Sequence, residues 1–468
     1  GWALAAVASD LTLSSSSLAA SQCAGVVNYA SKLVATGNTF GYAEEFGSVF
    51  DQQGEISLIG NQFIDTRYTY TYSYDDGTGN ISSTEYSGYG TDIYMYETFD
   101  AYIAENTFVN GDNSIVSQYV GATIENNSWT AYDGTLIQSY SADVGDPISV
   151  SNNTADDIGG TIVSTYYGAA EVENFEIGTT RAYTYTYTGY YNGEMTYTGT
   201  SSYGMPLFEA YGYSYGYYTD TDGDGIAETY VTYSEEAELS LEDIEVDSAY
   251  DTVVNVQSSG LEVNNLSAET VGKYGIYATW SSFVPTLEAE SIYFGSTGSS
   301  ALYAAANTFD EATLIVDDFT VDVVTGVGIR AMGFSTVSLS NVTITDATQE
   351  GVSISGDYSW YDYGTSTTTV GTRASVNTVS EVMVLGADLD GISVYDGTTT
   401  VTGSDASGGW GDGLALLETT ASITGNTFTG NAFYGMSCTT VVLNACATNT
   451  LSDNALGTHE GCDDACGN

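Results

Sequence analysis

The chain has 468 residues, of which 61 are Asp or Glu and only 6 are Lys or Arg, giving a formal net charge of −55. No basic patch exists to neutralise phosphates, so nucleic acid is disfavoured as a partner, whereas the field of the carboxylates favours cations. No apolar run is long enough to cross a bilayer, which argues against membrane insertion.

The first residues already match a strand of the repeat that fills the chain. Gly1-Trp-Ala-Leu matches Gly413-Leu-Ala-Leu, and alternating phrases follow at Leu11-Thr-Leu13 and Leu33-Val-Ala35. A charged signal-peptide region is absent, so we expect the sequence to begin inside the repeat, as a mature or trimmed segment of a longer precursor. Uncovered strands at such an end would predict end-to-end association.

One phrase returns along the chain: alternating apolar residues, then Asn, Asp or Gly, then a further apolar residue. Its alternation predicts a strand with one buried face. Phrases beginning at 239, 261, 287, 314 and 337 follow one another at steps of 22 to 27 residues. Strands repeating at a period of about 25 residues, without helices, predict a stacked-coil solenoid. The phrases begin at Ile56, Ala101, Leu239, Leu261, Leu287, Leu314, Val337 and Ala421.

Each repeat also contains a second strand, usually opened by glycine, as in Gly275-Ile-Tyr-Ala and Gly328-Ile-Arg-Ala. Parallel stacking of such coils would align equivalent residues in ladders. Asparagines recur at or next to one turn, where we expect left-handed backbone and stacked side-chain amides. They are Asn126, Asn152, Asn174, Asn265, Asn341 and Asn426.

The repeats resemble those of the right-handed parallel β-helix proteins, the pectate-lyase-like superfamily. The units that carry this resemblance are Gly425-Asn-Thr-Phe428-Thr-Gly-Asn431-Ala-Phe-Tyr-Gly435-Met and Gly37-Asn-Thr-Phe40. The resemblance implies an all-β, right-handed parallel β-helix forming a single domain over 1–468. It implies little about activity, because the superfamily contains lyases, hydrolases, epimerases, passenger domains, tailspikes and adhesins.

Three insertions interrupt the repeat, at 67–100, 181–236 and 357–372. The first two open alike, with Thr-Arg followed by alternating Tyr and Thr from Arg67 and Arg181. This alternation predicts extended Tyr-rich hairpins that project from one flank. Their aromatic residues are suited to binding sugars, meeting a partner surface or covering the solenoid's own flank.

A calcium loop is predicted inside the second insertion. Asp220, Asp222 and Asp224 occupy positions 1, 3 and 5, a glycine follows at position 6, and Glu228 stands at position 9. Hard oxygen ligands at this spacing suit calcium. Position 12 is Val231, so the bidentate glutamate of a full EF-hand is missing, and the alternative is a plain acidic hairpin tip.

Four of the five cysteines crowd the C-terminal end, at 438–468. In an extracellular protein they predict two disulfides with three possible pairings, and the alternative is a zinc site. Zinc is less favoured because the spacing is not that of paired CxxC motifs and the only histidine is His459. Cys23 is expected to be a buried, small apolar residue. The four C-terminal cysteines are Cys438, Cys446, Cys462 and Cys466.

Enzyme activity is not supported, because the chain lacks the Gly-His-Gly and Arg-x-Lys motifs of a polygalacturonase-type site. One group of residues favours a carbohydrate contact instead. Outward positions of successive Gly-led strands should stack as a column, with Tyr277, Tyr303 and Arg330 as candidate contacts and Lys273 just before it. The other interpretation is a solvated face. The column consists of Asn255, Tyr277, Tyr303, Arg330 and Ser353.

These observations predict an extracellular structural or adhesive surface protein, a filament subunit stabilised by calcium, and not an enzyme. Its expected partners are further copies of itself, joined end to end or laterally, and polysaccharide. The alternative is a carbohydrate-active β-helix protein that binds or cleaves a neutral polysaccharide.

Overall fold

A computed structural model describes residues 3–18, 24–41, 48–66, 68–75, 81–142, 146–191, 194–219, 229–235, 237–280, 286–307, 311–362, 367–462 and 466. Their regular structure is β throughout, with no α-helix among them. It follows that no helix in this part of the chain is long and apolar enough to span a membrane.

The chain divides into two compact units. Unit 1 comprises Gly1–Glu209 and Asp243–Asp251, and unit 2 comprises Ala210–Glu242 and Thr252–Asn468. Each unit contains parallel strands stacked in a β-solenoid, which confirms the predicted all-β solenoid fold. That 1–468 forms a single domain stays a prediction.

Two parallel sheets build the solenoid of unit 1. The first sheet contains Leu4–Val7, Val26–Tyr29, Val49–Gln52, Thr91–Tyr96, Asn113–Gln118, Ile137–Tyr140 and Val163–Tyr166. The second sheet contains Leu11–Ser14, Ser17–Leu18, Lys32–Thr36, Thr39–Phe40, Glu55–Ile59, Gln62–Ile64, Asp100–Ala104, Thr107–Val109, Ala122–Glu125, Ser128–Thr130, Ile148–Asp156 and Ala169–Thr179.

Unit 2 has the same two kinds of sheet. Its first sheet contains Val254–Gln257, Ile276–Trp280, Leu302–Ala306, Ile329–Met332, Val352–Ser355, Ile392–Tyr395, Leu414–Leu417, Tyr434–Thr439 and Gly457–Glu460. Its second sheet contains Gly260–Val271, Thr286–Thr297, Thr313–Val324, Thr336–Ala347, Val376–Ser380, Met383–Leu385, Thr398–Thr402, Asp405–Ser407, Thr420–Thr424 and Val442–Ala447.

Two further strands contain a unit boundary, Phe208–Tyr211 in the first sheet and Glu238–Ala249 in the second. The remaining strands form antiparallel pairs outside the solenoid sheets. They are Tyr68–Asp75, Ile81–Tyr89, Tyr183–Tyr191 and Glu194–Tyr203 in unit 1, and Tyr213–Thr219, Thr229–Glu235, Asp357–Asp362 and Thr367–Thr372 in unit 2.

The insertions are shorter than the sequence predicted. Thr91–Tyr96, placed within the insertion 67–100, pairs in parallel with Val49–Gln52 and Asn113–Gln118 and therefore belongs to the solenoid. The predicted insertion 181–236 also contains a solenoid strand, Phe208–Tyr211, which belongs to the first sheet. Just before this strand, the Leu207 carbonyl accepts a hydrogen bond from the Ile162 N–H at 2.7 Å. Both segments combine alternating apolar residues with tyrosines. The sequence pattern therefore does not distinguish a hairpin strand from a solenoid strand there.

Aromatic side chains stack inside unit 1, one from each successive turn. Phe40, Phe63, Phe108 and Trp129 lie at centroid separations of 4.9, 4.8 and 5.0 Å, with rings within 18° of parallel. Phe175, which is two turns beyond Trp129 and at a different position of the repeat, packs on Trp129 at 6.2 Å. All five are almost completely buried. Parallel stacking brings equivalent residues into contact, so one aromatic position in the repeat produces a continuous core.

An asparagine ladder runs beside this core. The Nδ2 atom of Asn61 donates to Oδ1 of Asn106 at 3.0 Å, and Asn106 donates in the same way to Asn127. Asn38 and Asn153 extend the ladder at either end. Beyond Asn38, each Oδ1 also accepts the backbone N–H of the preceding ladder asparagine, and Asn38 Oδ1 accepts the Ser16 N–H. The polar groups of the turn are therefore hydrogen-bonded within the protein, and each hydrogen bond contributes about 1 kcal/mol of net stabilisation.

Two of the predicted turn asparagines, Asn126 and Asn152, each lie one residue before a member of this ladder. Five of the predicted turn asparagines adopt the expected left-handed backbone, at φ between 51° and 56°: Asn126, Asn152, Asn174, Asn265 and Asn341. The ladder uses the next, inward-pointing residue, as Asn127 and Asn153 show. In unit 2 the left-handed residue is Gly425, and Asn426 donates to Asn449 in a second ladder.

Candidate functional site

The predicted column of outward residues is present in unit 2. Asn255 lies opposite Tyr277, which lies opposite Tyr303. Tyr303 lies opposite Arg330, and Arg330 lies opposite Ser353. The strands bury the residues on either side of the three central positions, so Tyr277, Tyr303 and Arg330 face outward and are partly exposed. The register predicted from the Gly-led strands is confirmed.

The tyrosines of this column form a ring stack. The rings of Tyr277 and Tyr303 are within 10° of parallel at 5.1 Å, and Tyr274 tilts against Tyr277 at 4.9 Å. Lys273 Nζ lies 5.7 Å from the Tyr274 ring centroid. Burial, helped by the neighbouring Tyr303, raises the pKa of the Tyr277 hydroxyl, so it stays a neutral hydrogen-bonding group. The stack offers an apolar surface with polar groups at its rim.

Charged and polar groups contact the column residues on either side of this stack, Arg330 and Asn255. Arg330 Nη2 lies 3.8 Å from Glu350 Oε2. At the other end Asn255 Nδ2 donates to Tyr211 Oη at 3.3 Å. The column thus combines two parallel tyrosine rings with Arg330 in the next strand, and carbohydrate contact there stays a prediction.

The two Tyr-rich hairpins of unit 1 join each other. Ile81–Tyr89 pairs antiparallel with Tyr68–Asp75 on one side and with Tyr183–Tyr191 on the other. Tyr183–Tyr191 pairs in turn with Glu194–Tyr203. The insertions expected to project from one flank therefore form a single four-stranded antiparallel sheet, which we call the tyrosine sheet.

Tyrosine rings cover one face of this sheet. Tyr183, Tyr185 and Tyr187 alternate with threonines along their strand, and their rings follow one another at 6.1 Å. Tyr203 packs on Tyr183 at 5.2 Å, and Tyr197 packs on Tyr187 at 6.1 Å. The face is a continuous aromatic surface built from two strands.

Two glycines make room for these rings. A Cβ atom at Gly189 would lie 2.1 Å from the Tyr197 ring, and one at Gly199 would lie 2.5 Å from the Tyr187 ring. Each ring therefore lies across the backbone of the opposite strand, where any side chain would displace it. This cross-strand packing favours the observed register of the hairpin.

The outer edge of the tyrosine sheet is exposed. Met195 is 67% exposed, Tyr197 52% and Tyr203 47%. Among the described residues, Glu194–Tyr203 pairs only with Tyr183–Tyr191, so its other edge has no strand partner there. An aromatic edge strand with free backbone groups can add a strand from another chain.

The predicted calcium ligands Asp220, Asp222, Asp224 and Glu228 lie outside the described residues. The strands that flank them, Tyr213–Thr219 and Thr229–Glu235, pair antiparallel, with Thr219 opposite Thr229. The acidic segment thus connects two paired strands. Calcium binding there stays a prediction.

The C-terminal cysteines form two disulfides, as predicted. Cys438 is bonded to Cys462, and Cys446 to Cys466, which selects one of the three pairings. Each of the four sulfur atoms is bonded to another, so they do not form the alternative zinc site. Cys23 lies outside the described residues.

A buried carboxyl in unit 1 was not foreseen from the sequence. Asp92 is fully buried, and Tyr132 Oη donates to its Oδ2 at 2.5 Å. Nearby, Trp129 Nε1 donates to Ser114 Oγ at 2.8 Å. Burial raises the pKa of Asp92 to about 7, against the opposing effect of the Tyr132 hydrogen bond. The sequence analysis assigned Asp92 to the insertion 67–100 and therefore did not place it in a solenoid strand.

An acidic cleft of about 500 Å³ lies along the second sheet of unit 1, lined by Asp156, Glu176, Glu245 and Asp247 among others. The Thr179 backbone N–H donates to Asp156 at 3.0 Å and lowers the pKa of that carboxyl. The cleft would repel a polyanionic substrate. In the described part of the chain, no group of three or more His, Cys, Asp or Glu side chains is arranged to hold a metal ion.

Together these features define a parallel β-solenoid protein that carries a tyrosine sheet and a separate tyrosine column. In comparisons with known proteins, no protein family and no curated protein matches the chain significantly. Membership of the pectate-lyase-like superfamily and the right-handed sense of the coil stay predictions.

Proposed function

We propose that the protein is an extracellular structural or adhesive protein that associates laterally with other copies of itself through the tyrosine sheet. The observation that carries this proposal is the joining of two distant insertions into one sheet with a continuous aromatic face. An exposed aromatic surface of this kind favours contact with another macromolecule.

The chemistry of the tyrosine sheet supports self-association. Tyrosine rings provide large apolar contact areas together with a hydroxyl, a combination common at the centres of protein interfaces. The exposed edge strand offers backbone hydrogen bonds to a second strand. Because a net charge of −55 opposes association, cations should promote it by screening.

Calcium and disulfides belong to the same proposal. The loop at Asp220, Asp222, Asp224 and Glu228 would bind calcium and order the tip of its hairpin. The two disulfides suit an oxidising, extracellular environment. End-to-end association, which the sequence also suggested, would extend a lateral assembly into a filament.

Sedimentation velocity over a wide concentration range, with and without calcium, tests the proposal. The intact chain should form species larger than the monomer, and calcium should increase their share. The double variant Tyr185→Ser/Tyr197→Ser should shift toward the monomer, because it removes rings from the aromatic face. Tyr250→Ser, a matched change at another exposed tyrosine of unit 1, should behave like the wild type. A monomer under all conditions would contradict the proposal.

The alternative function is binding of a neutral polysaccharide at Tyr277, Tyr303 and Arg330. The parallel rings of Tyr277 and Tyr303 favour it, since a sugar ring can stack on such a surface. Retardation of the wild type, but not of Tyr303→Ala, in a gel containing a neutral polysaccharide would support this alternative.

A further inference from the structure

A regular array of fifteen uncharged residues, eleven of which carry a hydroxyl group, covers part of the second sheet of unit 2, and we call it the hydroxyl array. It lies on five strands paired in parallel and in register, with one bulge at the last strand. The three outward positions of each strand form three columns. They are Thr336, Val376, Thr398, Thr420 and Val442; Ser338, Thr378, Thr400, Ser422 and Ala445; and Ser340, Ser380, Thr402, Thr424 and Ala447.

The backbone fixes the spacing of this array in two directions. Neighbouring strands lie about 4.8 Å apart, and outward residues on one strand recur about 6.6 Å apart, twice the rise per residue. The inward residues between them, such as Val379, Val401 and Ile423, are fully buried and anchor each strand to the core. The outward hydroxyls and methyl groups are therefore held in a rigid two-dimensional lattice.

Most of these hydroxyls face solvent. Thr378 and Thr398 are exposed, and Thr400 and Ser422 are partly exposed. Ser340 at the rim donates to Asp317 at 2.7 Å. In the described residues, no hydrogen bond within the protein uses the side-chain hydroxyls of Thr378, Thr400 or Ser422, which leaves them free to bond water.

Charged residues are absent from the array, although some of the equivalent positions in earlier turns are acidic. The positions before the central column are Glu262, Glu288 and Ile315, those before the third are Glu290 and Asp317, and those before the first are Thr286 and Thr313. From Thr336 onward, all fifteen positions listed above are uncharged. In a chain with 61 acidic residues, fifteen adjoining uncharged positions distinguish the array from the turns that carry Glu288, Glu290 and Asp317.

We propose that the hydroxyl array binds ice. Crystalline water is an uncharged ligand with a regular repeat, and the array presents uncharged hydrogen-bonding groups at a regular repeat. Its methyl groups and hydroxyls can hold a layer of ordered water in place. Many weak contacts made at once by one rigid surface would then hold the protein on a crystal face.

Thermal hysteresis and ice-crystal shape in solutions of the full chain test this proposal. The wild type should lower the freezing point below the melting point and produce faceted crystals. Thr378→Tyr and Thr400→Tyr should each abolish most of the hysteresis, because a bulky ring at the centre breaks the lattice. Thr343→Tyr, an outward change elsewhere on the Thr336–Ala347 strand, should retain it, and circular dichroism should confirm that all variants fold.

Two outcomes would overturn the assignment. One is the absence of thermal hysteresis in the wild type at every concentration, and the other is equal hysteresis in wild type and Thr400→Tyr. Binding to an insoluble neutral polysaccharide without any hysteresis would assign the array to that polymer instead. Self-association through the tyrosine sheet is measured separately, so it can fail or succeed independently of this test.

Discussion

Replacing Phe108 with alanine should destabilise unit 1 by about 3–5 kcal/mol. Phe108 is completely buried and stacks between Phe63 at 4.8 Å and Trp129 at 5.0 Å. Removing its ring leaves a cavity that the neighbours cannot fill without breaking the parallel register of their strands. Urea-induced unfolding followed by circular dichroism measures the change in unfolding free energy.

The matched control is Phe99→Ala, which removes the same ring from a side chain that is 79% exposed. Its effect should stay within about 0.5 kcal/mol, as for ordinary surface substitutions. Equal losses in both variants would show that Phe108 does not belong to a packed stack.

The buried carboxyl of Asp92 should make unit 1 less stable as the pH rises from about 4 to about 7. The pKa of Asp92 is raised from 3.8 to about 7 in the folded protein. Within this window the unfolded chain releases the proton while the folded protein retains it, so rising pH favours unfolding. Above the window the penalty levels off at about 4 kcal/mol.

Asp92→Asn removes this dependence while keeping a partner for Tyr132. Relative to the wild type, the variant should gain stability at about pH 8 and change little at about pH 4, measured by urea unfolding. Glu171→Gln, an exposed change in the same unit that removes the same charge, serves as the control. It should shift stability far less at either pH. The same difference between Asp92→Asn and wild type at both pH values would contradict the raised pKa.

Much of the fold can be predicted from the sequence because every turn of the solenoid follows a similar pattern of apolar and polar residues. The alternation of Leu261-Glu-Val263 and its equivalents fixes which face is buried, and the Gly-led strands fix the register of Tyr277, Tyr303 and Arg330. The predicted stacking of turn amides occurs between Asn174 and Asn152, whose Oδ1 accepts from Asn174 Nδ2 at 2.6 Å. The buried ladder instead uses the inward residue that follows the left-handed one, which at Asn126 and Asn152 is a second asparagine.

The features that the sequence did not reveal depend on contacts between segments. Alternating Tyr and Thr predicts hairpins but does not specify which edges meet, so the pairing of Ile81–Tyr89 with Tyr183–Tyr191 was not foreseen. Asp92 was concealed because its solenoid strand follows a hairpin of similar composition. The hydroxyl array emerges only when the outward residues of successive turns are aligned.

The proposed function depends on the joining of the two tyrosine-rich hairpins, and a disulfide cross-link tests that joining directly. Ser83 lies opposite Tyr190 across the two insertions. A Ser83→Cys/Tyr190→Cys variant should therefore form a disulfide under mild oxidation, detected by mass spectrometry after proteolysis. Ser83→Cys/Thr186→Cys, which places the second cysteine four residues out of register, should not. Equal cross-linking in both variants, or none in either, would contradict a single tyrosine sheet.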